Sequence, residues 1–113
     1  MSERKYLQFL NDIIISSGKI IQLVGDNSFD EFINDWVKVD ALVRNLEIIG
    51  EAVKHLPEEV KQKYSQVEWK KIGGLRDILI HEYFGINYNI LWDIGKNKIP
   101  DLKRQIQIII QAM

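Results

Sequence analysis

The chain has 113 residues, a formal net charge of −1 and no cysteine. That length suits one compact domain, residues 1–113, able to bury more than half of its unfolded surface. The lack of cysteine excludes disulfides, a thiolate nucleophile and a Cys-based zinc site, and the near-neutral charge excludes the broad basic excess of a dedicated duplex-DNA binder.

In chain order, nearly every segment reads as helix. Tyr6, Phe9, Leu10, Ile13, Ser17, Ile20, Ile21 and Val24 recur at spacings of three and four, one face of a helix from about Glu3 to Val24. Ser2 can cap its start and Gly25 can end it in a left-handed turn. "SFDE" at 28–31 has the form of a capping box and opens a short helix through about Asn34. A long helix from Asp35 to His55 carries Val39, Leu42, Val43, Leu46, Ile49, Val53 and Leu56 inward. Pro57 stops it and begins a short turn, "PEEVKQKY".

A further helix is expected from about Trp69 to Tyr83, with Gly73 and Gly74 admitting a close neighbour near its start and Gly85 ending it. Asn87 caps another through about Lys96, and Pro100 opens a last one ending in "IQIIIQAM". No stretch alternates with period two. The expected architecture is all-α, an antiparallel four-helix bundle with one or two extra short helices. No run approaches the roughly 18 apolar residues that span a bilayer, and "MSERKYLQFLND" has no signal-peptide core. A cytoplasmic protein without a membrane partner is expected.

The candidate chemistry lies in "RDILIHEYFGI", 76–86. On an ideal helix Arg76 lies about 20° from Tyr83, and Asp77 neighbours His81 at i,i+4. Arg76 and His81 are about 140° apart around the helix. Either the arginine bends around the helix to share a phosphate with His81, or two chains pair motif to motif. Metal-free RNA cleavage needs a base for the 2′-hydroxyl, an acid for the leaving 5′-oxygen and a cation for the phosphorane. Histidine suits the proton steps and arginine the third. A two-fold dimer would bring two of each to one cleft. A lone histidine on a helix is more often structural or solvated, and the spacing alone carries no motif.

"RDILIHEY" resembles the R-x4-H-x-Y signature of the HEPN superfamily, in its HepT-like group. "LVRNLEIIGEAVKHLPEEV" (42–60) and "WKKIGGLRDILIHEYFGINYNILWDIGKNKIPDLKRQI" (69–106) are similar to the family's long helix and core block. The resemblance implies a homodimeric helical bundle and a metal-independent endoribonuclease forming a 2′,3′-cyclic phosphate, with Arg76 and His81 as the catalytic pair and no cofactor. Asp77 stands where family members often carry asparagine, with a supporting role toward the histidine or the RNA. The resemblance also implies a toxin–antitoxin pair in which a minimal nucleotidyltransferase transfers AMP to Tyr83. The alternative is a non-catalytic nucleotide- or substrate-binding subunit of such a nucleotidyltransferase complex.

Lys70 and Lys71, with Lys61 and Lys63 before them, are candidates for holding an RNA backbone, against the plainer reading of a solvated face. Glu47, Glu51 and His55 form a stripe of metal-ligating types. One stripe at this spacing falls short of a di-iron bundle site, so no metal is expected and pairing with Arg44 and Lys54 is preferred. Trp36, Trp69 and Trp92 sit in apolar helical contexts and are expected to pack in the core or at an interface rather than stack on bases.

Overall fold

The computed structural model describes residues 2–82 and 85–113, and for His81 and Glu82 the backbone alone. The described residues form seven α-helices: α1 (Glu3–Val24), α2 (Phe29–Ile33), α3 (Trp36–His55), α4 (Glu58–Lys63), α5 (Trp69–Glu82), α6 (Tyr88–Asp93) and α7 (Ile99–Gln111). A π-helical turn, Ile94–Lys98, joins α6 to α7.

Local chemistry sets most of the boundaries. The Ser2 hydroxyl accepts from the Lys5 amide at the start of α1. At its end Gly25 adopts φ 42° and ψ −130°. The φ is positive as expected, but the ψ lies outside the left-handed helical well. The capping box is complete: Glu31 N donates to Ser28 Oγ at 3.2 Å, and Ser28 N donates to Glu31 Oε1 at 2.9 Å. Asp35 caps α3 through the Lys38 amide. Leu56, preceding Pro57, is extended, which ends α3 there.

The order across the bundle is α5, α3, α1, α7. Neighbours run antiparallel. Phe9, near the start of α1, stacks on His55 at the end of α3. Gly50 of α3 meets Arg76 of α5 while Val53 meets Gly73, and Gly18 of α1 faces Lys103 of α7. All seven residues assigned to the inner side of α3 are buried, with Leu42 and Leu46 inaccessible. They join Leu10, Ile13, Ile20, Ile106 and Ile109 in one core. Ser17 Oγ and Asn45 Oδ1 are buried within this core without a hydrogen-bond partner among the described residues.

Two expectations are corrected. The last two helices are continuous, because Pro100 begins α7 inside a helical path. Proline lacks an amide, and its ring crowds the carbonyl four residues back. The wider turn before it, in which the Ile99 amide reaches the Ile94 carbonyl, accommodates that conflict. The close approach between α3 and α5 does not come from the glycine pair in α5. A Cβ on Gly73 would make ordinary contacts at 3.5 Å, and one on Gly74 would meet nothing within 4 Å. A Cβ on Gly50, by contrast, would lie 2.7 Å from Arg76 Cβ and 3.2 Å from the Ile72 carbonyl. Of the tryptophans, Trp69 is buried and donates to the Tyr64 carbonyl and Trp92 packs against Phe29 and Phe32, while Trp36 is 73% exposed on this chain and lies outside its core, which leaves an interface as its expected place. It occupies the first turn of α3, before the buried stripe begins at Val39.

Gly50→Ala is expected to force α5 away from α3 and to cost about 1–3 kcal/mol. Gly74→Ala should be neutral or stabilising by up to about 1 kcal/mol, because alanine is the better helix former in open space. Urea denaturation of the two variants beside the parent chain checks both.

Candidate active site

Among the described residues, two of the concave surfaces that border α5 carry the motif residues Arg76 and Asp77. On one side a cleft of about 390 Å³ is lined by Phe9, Arg44, Glu47, Glu51, His55 and Arg76 among others. On the other a wider groove of about 1150 Å³ carries Lys54, Lys61, Lys70, Lys71 and Asp77 beside Val53 and Trp69.

Arg76 belongs to the first surface. Its backbone is pressed against Gly50, and its side chain reaches back to α3. Nε lies 2.5 Å from Glu51 Oε2, and Nη1 lies 3.6 Å from Asp77 Oδ1. The other oxygen of Glu51, Oε1, is 3.0 Å from Nε2 of His55. The His55 ring in turn stacks on Phe9, with centroids 5.1 Å apart and planes 14° from parallel. One carboxylate thus joins the motif arginine to the second histidine. The sequence shows Glu47, Glu51 and His55 as a stripe but not this cross-helix contact. Glu51 and Arg76 are separated by two turns and a short helix, and no local pattern signals that they meet.

The stripe is therefore engaged otherwise than as a metal site. Glu47 lies 3.7 Å from Arg44, as expected of an i,i+3 neighbour, while Glu51 serves Arg76 and His55. Among the described residues no group of three or more metal-ligating side chains could hold an ion. Lys54 turns away from this stripe and spans to α5, where its Nζ lies 2.7 Å from both oxygens of Asp77. The aspartate in the motif is thus countered by an ammonium from α3. Half-exposed pairs of this kind contribute at most about 1 kcal/mol of stability each, so their main effect is on geometry.

Of the other motif residues, His81 has its backbone in the last turn of α5. The expectations for the His81 imidazole, for its contact with Asp77 and for Tyr83 lie outside the described residues. Lys70 and Lys71 are both exposed at the start of α5. Lys71 Nζ lies 2.9 Å from Glu68 Oε2. That hydrogen bond and its charge attraction lower the Glu68 carboxyl below its ordinary value and raise the Lys71 ammonium above its own. Lys70 has no such partner among the described residues. Lys61 lines the same groove as these two, whereas Lys63 sits over the ring of Tyr64.

The fold is an all-α antiparallel bundle that presents an arginine-bearing helix between a cleft of mixed charge and a lysine-bearing groove. The chain belongs to the HepT-like ribonucleases of the HEPN superfamily: the family described as "Ribonuclease HepT-like" matches residues 13–109. It is 49% identical over 111 residues to "Putative RNase MJ0127" of Methanocaldococcus jannaschii, covering 98% of this chain and 92% of that one. It is 48% identical over 103 residues to "Putative RNase TTE0752" of Caldanaerobacter subterraneus subsp. tengcongensis, covering 91% and 92% of the two chains. To "Probable ribonuclease HepT" of Thermococcus cleftensis the identity is 34% over 105 residues, covering 93% and 96%. No solved structure matches it significantly. No helix among the described residues is long and apolar enough to cross a membrane.

The Glu68–Lys71 pair gives a pH signature. The folded carboxyl is shifted downward, so the pairing is in force above the ordinary carboxyl value and is lost as the pH falls through the lowered one. Carboxyl-detected NMR titration should place Glu68 below its ordinary 4.5, and Lys71→Ala should move it back toward that value.

Proposed function

We propose that this chain is a metal-independent endoribonuclease that acts as a homodimer and serves as the toxin of a two-component pair. His81 takes the proton of a ribose 2′-hydroxyl, whose oxygen then attacks the adjacent phosphorus. Arg76 stabilises the charge gathered on the phosphorane. The P–O5′ bond breaks, and a proton from the second copy's histidine or from water goes to the leaving oxygen. The products are a 2′,3′-cyclic phosphate and a 5′-hydroxyl. None of these jobs calls for a cofactor.

The observation that carries this reading is the position of Arg76 at a cleft, in a chain whose family match runs through the whole motif. A guanidinium fixed on its Nε side suits bidentate contact with a phosphate through its remaining N–H groups. Asp77 is the departure from the expected motif, and the Lys54 ion pair offsets the repulsion it would offer a phosphate. The homodimer is supported by two isoleucines on the motif helix, Ile78 and Ile80, which are 48% and 46% exposed. Apolar side chains left open on both flanks of α5 suit a helix that a second copy covers.

Regulation follows the same reading. A minimal nucleotidyltransferase partner transfers AMP from ATP to the hydroxyl of Tyr83, the α-phosphorus bond to pyrophosphate breaking as the bond to the tyrosine oxygen forms. Each adenylate places a phosphate charge and a bulky base beside the motif arginine, where RNA would otherwise bind.

Two experiments test this. Purified chain incubated with total RNA in the presence of a chelator should cleave it. His81→Ala should abolish cleavage while leaving the helical spectrum and the dimer mass unchanged. Undiminished cleavage by that variant overturns the assignment. Separately, Lys70→Ala should weaken binding of single-stranded RNA and reduce the salt slope of log K by about 0.7, the value for one lost phosphate contact on a single strand. Lys71→Ala should do less, because Glu68 already occupies that ammonium.

A further inference from the structure

Arginine side chains are long and flexible, and one that must meet a phosphate at a set angle loses rate if it wanders. Arg76 is constrained at both ends. Its Cα region is locked where α5 crosses Gly50, with no room for even a methyl group between the helices. Its guanidinium is held through Nε by Glu51, one residue further along the same helix as that glycine. Glu51 is itself held, since its second oxygen meets His55 and the His55 ring lies against Phe9. The chain of contact Phe9–His55–Glu51–Arg76 runs from α1 across α3 to α5.

We propose that Glu51 is a positioning residue for RNA cleavage. It fixes the Arg76 guanidinium from the Nε side, so that the Nη edge is presented to the scissile phosphate before the substrate arrives. This rests on the ribonuclease reading and on the place of Arg76 within it. The opposite role, a carboxylate that competes with the phosphate and restrains the enzyme, fits the geometry less well. The close contact is to Nε rather than to the paired Nη groups that grip a phosphate oxygen pair, and Asp77, 3.6 Å from Nη1, is bound by Lys54. Both side chains are also partly in water, 34% and 45% exposed, so the carboxylate cancels little of the arginine's charge.

The test uses the full chain and a mixed-sequence single-stranded RNA oligonucleotide with a fluorophore and quencher. Glu51→Ala should lower kcat by about 10- to 100-fold, the range for a displaced catalytic group, with KM changed by no more than about threefold. Glu51→Gln, whose amide oxygen can still accept from Nε, should recover most of that loss. In an Arg76→Lys background, where no Nε–H remains to be held, Glu51→Gln and Glu51→Ala should have no further effect. A residue that merely supported the fold would lower activity equally in both backgrounds. If Glu51→Ala disrupts folding, Glu51→Met, of similar length but with no oxygen to hold Nε, carries the same comparison. Should the parent chain cleave while Glu51→Ala, or Glu51→Met in its place, matches it, exceeds it, or loses activity independently of Arg76, the positioning role is overturned and the ribonuclease reading stands. A parent chain that leaves the RNA intact overturns both.

Discussion

The seam between α3 and α5 closes to a distance that only glycine at position 50 permits. Much of the candidate site follows from that contact. It sets the depth at which α5 sits and therefore where Arg76 emerges. It brings Glu51 and Lys54, one turn apart on α3, within reach of Arg76 and Asp77, which are adjacent on α5. The two ion pairs straddle the seam in opposite senses, carboxylate to guanidinium and ammonium to carboxylate. Neither pair is strong in water. Their value lies in registering one helix against the other, a task for which several weak contacts beyond a steric stop are well suited.

Where the information is local, the sequence discloses it. The three-and-four periodicity of α1 and α3 places their buried faces correctly, and Ser2 and the Ser28–Glu31 box locate helix starts to the residue, while Asp35, read as the first residue of α3, is the cap before it. Where it depends on distant partners, it does not. A glycine in mid-helix can mean a close crossing or nothing, and the pair at 73 and 74 attracts attention that belongs to the solitary one at 50. Pro100 looks like the start of a separate helix, because nothing in the sequence shows that a π turn can carry the chain through it. Trp36 reads as core or interface because its neighbours are apolar, and the sequence does not show that it falls before the packed stripe begins, outside the core. The motif arginine and histidine stand out only through a family resemblance, since their spacing on one helix does not by itself bring them together.

The family match and the geometry bear on different things. Membership in the HepT-like ribonucleases concerns residues 13–109 as a whole. The contacts of Glu51 and Lys54 concern how this particular chain arranges its motif helix. The second histidine illustrates the difference. His55 lies outside the signature, in the last turn of α3, yet it touches the same carboxylate as Arg76 and lines the same cleft.

Around the seam the charges alternate and cancel, and the whole chain sits one unit from neutrality. Such a surface throws no far-reaching field, so a polyanion is not drawn in from beyond a Debye length of about 8 Å at physiological ionic strength. An RNA substrate would gain little from long-range steering, and its capture would depend on what it meets at contact. The same economy of charge keeps the protein from clinging to the mass of nucleic acid around it, so that salt governs how long a strand stays more than how quickly it comes.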